Sequence, residues 1–117
     1  MKSLPLYNRE FLDYDNDVAF DKIAKAVEQY GFRDCSWHND TQPKLELEVD
    51  RDTCFVIWVD YSDPALSEHG EQRITGEYNP YILAIYRDGE IGISQTGETW
   101  EFNTVDGLID KVKEMCK

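Results

Sequence analysis

No stretch of this sequence approaches the roughly 20 consecutive apolar residues that cross a bilayer as a helix. Its start, MKSLPLYNREF, lacks the apolar core of a signal peptide, so a reducing cytoplasm and free thiols are the expectation. Cysteine is scarce: Cys35, Cys54 and Cys116 are odd in number and lack paired spacing. That argues against a disulfide framework, and the usual C-x2-C or H-x3-H zinc pairings are missing too. The glycines of DGEIGISQTGE fit neither a Walker loop nor a dinucleotide fingerprint. Internal repeats, linkers and low-complexity segments are absent from the sequence.

Basic residues are the other shortage. Twelve Lys and Arg stand against 24 Asp and Glu, a net charge of −12. Nucleic acid and anionic membrane both select positive contact surfaces, so neither is an expected direct partner. The excess is uneven: residues 34–77 hold eleven acids and three bases, a net −8. Position therefore matters more than the total.

What is present is a foldable chain. At 117 residues with 41% hydrophobic content, residues 1–117 are expected to form one compact domain with a modest core. The first fifteen residues lack periodicity and read as an arm or edge segment. A helix follows, capped by Asp15, Asn16 or Asp17, with Phe20, Ile23, Ala24 and Val27 on one stripe and Gly31 at its end.

From residue 32 the period becomes two. In KLELEVDRDTCFVIWVDYSD, Leu45, Leu47 and Val49 alternate with Glu46, Glu48 and Asp50, and Arg51-Asp52 turns the chain into Thr53–Tyr61. Residues 62–70 read as a loop, and residues 72–77 as a short strand. A strand over 80–87 meets Asp88-Gly89, a two-residue hairpin signal leading into residues 90–95. Thr96-Gly97 is expected to turn the chain towards residues 99–102. Thr104 caps a last helix whose stripe is Val105, Leu108, Ile109, Val112 and Met115. The expected fold is α+β: an antiparallel sheet of five or six strands, with an N-terminal and a C-terminal helix packed on one face.

If Leu45, Leu47, Val49, Phe55, Ile57 and Val59 face the helices, the opposite face carries Glu46, Glu48, Cys54, Val56, Trp58 and Asp60. A row of carboxylates beside a tryptophan is the most function-like feature of the sequence. An ordinary solvated sheet face, with Trp58 partly covered by a loop or the arm, is the competing explanation.

Catalytic constellations fare worse. Cys35 and His38 are three apart and would point to opposite sides of a strand. Asp13, Asp15 and Asp17 open like a calcium loop, but Val18 and Ala24 stand where it needs Gly and Glu. The loop holding Asp60, Asp63, Glu68, His69 and Glu71 offers acid-base groups without a nucleophile or oxyanion signature. Neither a metal nor a cofactor is expected.

In small size, strong acidity, lack of a signal peptide and lack of a catalytic motif, the chain is similar to phage and mobile-element inhibitors of nuclease-based defence, including anti-CRISPR and anti-restriction proteins. That likeness is one of composition and carries over no residue. The leading expectation is a non-catalytic inhibitor that mimics nucleic acid and blocks a basic partner surface, such as the nucleic-acid channel of a nuclease complex. Its contact residues are expected to be Glu46, Glu48, Asp50, Asp52, Trp58, Asp60, Asp63, Glu68 and Glu71. Trp37 is a further aromatic anchor. The alternatives are a small metal-dependent or hydrolytic enzyme using the Asp60–Glu71 loop with His69, and a host adaptor or immunity-type binding protein.

Overall fold

A computed structural model of the chain describes residues 11–36, 42–51, 53–68, 70–76, 79–88 and 94–116. Five strands form one antiparallel sheet: β1 (Arg33–Asp34), β2 (Lys44–Asp50), β3 (Thr53–Val59), β4 (Tyr81–Asp88) and β5 (Ser94–Phe102). Their spatial order is their sequence order, a meander built from short connections. Helix α1 (Asp17–Val27) precedes the sheet, α2 (Gly70–Thr75) lies between β3 and β4, and α3 (Val105–Met115) closes the chain. Among the described residues no helix is long and apolar enough to cross a membrane.

Helices α1 and α3 cover one face of the sheet, as their stripes predict. Phe20, Ile23 and Val27 of α1 and Leu108, Ile109 and Val112 of α3 form a single core with Leu45, Ile57, Val59 and Leu83. Register explains the selection: Leu45, Ile57, Leu83 and Trp100 lie side by side across β2 to β5, so all four point to the helical face. Burying an aliphatic side chain of this size contributes about 1.5–3 kcal/mol, and the row spans the sheet's centre. The Thr104 hydroxyl accepts the Gly107 N–H at 3.1 Å and starts α3. After α1 and the turn Glu28–Tyr30, Gly31 takes φ 101°, a left-handed conformation that suits glycine and stops the helix.

Several expectations are corrected by local geometry. Val49 points away from the core and is 51% exposed, because the β2–β3 register slips between Glu48 and Asp50 and gives β2 one extra residue. Residues 72–76 do not form the expected strand: Gly70–Thr75 is helical, with the good helix formers Glu71, Gln72 and Arg73 at its centre and Gly76 at φ 86° behind it, and residue 77 lies outside the described residues. Thr96-Gly97 is no turn. β5 runs through it, and Gly97 is skipped where Ile85 pairs with Glu98 and Tyr86 with Thr96, which makes it a bulge. Asp88 pairs with Ser94; the hairpin signal at Asp88-Gly89 runs into residues 89–93, which lie outside the described residues.

The segment expected to be an arm is partly built in. Phe11 is buried, and Tyr14 packs edge-on to Phe20 and Tyr61 with ring centroids 6.4 and 5.3 Å away. Asn16 holds the N-cap position of α1 without a side-chain cap bond, because its amide donates instead to the Asp60 carbonyl at 3.1 Å.

Candidate functional site

The expected contact residues separate into two groups. Glu48 pairs with Cys54 near one end of β3, whereas Asp60 follows its other end. Six steps along the strand separate them, roughly 20 Å at 3.3–3.4 Å per residue.

In the first group, Glu46, Glu48 and Trp58 lie on the sheet face away from the helices, whereas Asp50, past the register slip, pairs with Thr53. Glu46 is half-buried, accepts Lys44 Nζ at 3.0 Å and sits across the ladder from Arg33. The same ammonium lies 5.2 Å from the centre of the Trp58 ring, and the Trp58 indole N–H donates to the Tyr86 hydroxyl at 3.3 Å. Trp58 thus has intramolecular partners on both its ring face and its edge. Val56, Ile82 and Ala84 on this face are buried, so its middle is packed and not a bare acidic plane. Glu48 and Asp50 stand exposed towards the hairpin tip. Asp52 and Trp37 lie outside the described residues.

The second group surrounds the exit of β3. Asp60 was expected on the outer face as a contact residue, and the structure corrects this: it is 0% exposed. The chain leaves the sheet regularly at Val59, and Asp60 turns inward to gather neighbouring donors. Its Oδ1 accepts the Tyr61 N–H at 2.7 Å, and its Oδ2 accepts the Ser67 hydroxyl at 2.6 Å. Arg73 Nη1 lies 3.6 Å from Oδ2 and supplies the countercharge that a buried carboxylate needs. The guanidinium also donates to the carbonyls of Tyr61 and Ser62, which ties α2 to the strand exit.

The acidic run before α1 works in the same place. Asp15 accepts the N–H groups of Ser62 and Asp63 at 2.7 and 2.9 Å, one through each carboxylate oxygen. Asp13 accepts the Tyr61 hydroxyl at 2.9 Å, and the Tyr14 hydroxyl donates to the Val59 carbonyl at 2.9 Å. Burial, followed by the Asp13 hydrogen bond and the nearby carboxylates, raises the Tyr61 phenol well above its ordinary range. What reads in sequence as a calcium-like DYDND is a clasp in which Asp13 and Asp15 accept hydrogen bonds while Tyr14 and Asn16 donate them. Sequence reasoning missed Asp13, Asp15, Ser67 and Arg73 in these roles, since their partners lie on other elements, up to 48 residues away for Asp13 and Asp15.

Beyond the clasp, Asp63 caps the short turn Pro64–Leu66 by accepting the Ala65 N–H at 2.9 Å. This turn and α2 wall an open cleft of about 550 Å³, lined by Asp63, Pro64, Glu68, Glu71 and Ile74 among others. Gly70 permits the walls to meet: a Cβ there would drive into the Pro64 carbonyl oxygen. Glu68 and Glu71 are exposed, so this group does supply surface carboxylates. His69 lies outside the described residues.

None of the three cysteines is in a disulfide, and all three are half-buried. Burial raises the Cys35 and Cys116 thiols above their ordinary value, with Glu46 adding to the effect at Cys35. Among the described residues no group of three or more His, Cys, Asp or Glu is arranged to hold a metal ion. Comparison with protein-family models, curated proteins and solved structures gives no match.

Proposed function

We propose that the protein is a small, acidic, non-catalytic interaction protein that blocks a basic surface of a partner. The most concrete such surface is the nucleic-acid channel of a nuclease-type defence complex, where carboxylates on a rigid scaffold stand in for phosphates. The observation that carries this reading is how residues 34–77 dispose their charges. Of their three bases, Lys44 and Arg73 are turned onto Glu46 and Asp60, and Arg51 alone is exposed, at the hairpin tip. Glu48, Asp50, Asp63, Glu68 and Glu71 remain at the surface. A predominantly negative field steers and selects basic partners, and opposes nucleic acid itself.

Asp60 is better explained as a structural anchor than as a general acid or base, since both its oxygens are engaged and solvent does not reach it. Charge reversal at exposed positions tests the proposal without disturbing the anchor. Glu48→Lys, Glu68→Lys and Glu71→Lys together are expected to abolish capture of a basic partner while thermal unfolding stays close to wild type. Unchanged capture by this triple variant would remove the basis of the proposal.

A further inference from the structure

Among the described residues, four of the five large hydrophobic side chains that stand exposed, Leu12, Val18, Leu66 and Ile74, belong to the segments joined by the clasp or adjoining it. Ile74 is 78% exposed although it lines the cleft between the Pro64–Leu66 turn and α2. The helix explains this: Arg73 is directed inward to Asp60, which turns its neighbour outward. Asp63, Glu68 and Glu71 border the same cleft. An apolar spot ringed by carboxylates is therefore held on a rigid support.

We infer that this cleft docks a lysine- or arginine-bearing segment of a partner protein, with one apolar side chain of that segment seated against Ile74. The inference rests on the interaction reading above and specifies its contact. Charge complementarity selects the occupant: the carboxylates attract cations, and the apolar centre adds a contact that a purely ionic partner does not use. A second copy of this chain, itself at −12, is a poor match for the acidic rim. A small-molecule site would enclose its ligand among mostly apolar walls, whereas here Ile74 stands open to solvent.

The test uses two lysine-rich peptides of equal charge, one with central leucines and one with serines in their places. They are titrated against the full chain at physiological salt while backbone amide chemical shifts are followed. The leucine peptide is expected to shift the amides of Ala65–Ile74 and to bind about tenfold tighter than the serine peptide, a difference of about 1.4 kcal/mol. Ile74→Ser should erase that difference with the unfolding midpoint unchanged, and Glu68→Lys with Glu71→Lys should weaken both peptides. Equal affinity of the two peptides, shifts confined to the Lys44–Trp58 face, or an unaffected Ile74→Ser variant would overturn the inference. A natural basic partner lost on charge reversal but retained by Ile74→Ser would leave the interaction reading standing and this docking site refuted.

Discussion

Arg73 and Asp60 meet at 3.6 Å with 11% and 0% of their side-chain surfaces exposed, joining α2 to the residue that directly follows β3, thirteen positions earlier. Removing one partner from such a pair strands the other's charge. Asp60→Ala is therefore expected to cost about 3–5 kcal/mol, measured by urea unfolding. Asp60→Asn keeps an acceptor for the Tyr61 N–H and should cost less. Adding Arg73→Met to Asp60→Ala should recover part of the loss, because no buried charge then lacks a partner.

The hairpin bulge makes a second prediction. Ile57→Ala, at 0% exposure in the core, should cost about 2–5 kcal/mol. Val49→Ala, half-exposed beyond the register slip, should stay within about 0.5 kcal/mol of wild type. Parallel urea titrations decide between this register and one that turns Val49 inward.

Strict alternation would have given the opposite ranking at Val49, and that marks how far the sequence could be read. Both helical stripes, the Thr104 cap, the Gly31 stop and the β2–β3 pairing follow from local periodicity and end chemistry. A bulge shifts the period by one residue without altering composition, so Val49 and Gly97 were misread. Asp60 continued the alternation of β3 in sequence, and only its distant partners Ser67 and Arg73 show why it is buried. Asp13 and Asp15 were legible as helix-end acids, but their bonds to residues 61–63 depend on tertiary folding. The separation of Glu46 and Glu48 from Glu68 and Glu71 is likewise a property of the folded sheet.

Tyr61 gives the protein an alkaline limit. Its phenol is protonated in the fold, donating to Asp13, and its raised value means the folded state keeps a proton that the unfolded state releases. That contribution is complete below the ordinary value of 10.0 and is lost as pH climbs through the folded value. Unfolding free energy is expected to fall from pH 10 upward, and Tyr61→Phe should flatten that part of the profile in pH-resolved denaturation.

The thiols should be sluggish at neutral pH. Burial raises Cys35 and Cys116 from 9.0, so iodoacetamide should modify both more slowly than a free cysteine at equal pH. Mass spectrometry of peptides from timed alkylation of the native protein reads each site separately. Rates matching free cysteine would contradict their burial.

The central claim is that surface carboxylates recognise a basic partner, and salt-resolved affinity capture from the native host measures it most directly. Wild-type protein and the Glu48→Lys, Glu68→Lys, Glu71→Lys variant are immobilised side by side and eluted towards about 1 M salt, where the Debye length falls to about 3 Å. The account predicts that wild type alone retains a basic nucleic-acid-binding protein until high salt. Equal retention of that protein by the charge-reversed variant would contradict it.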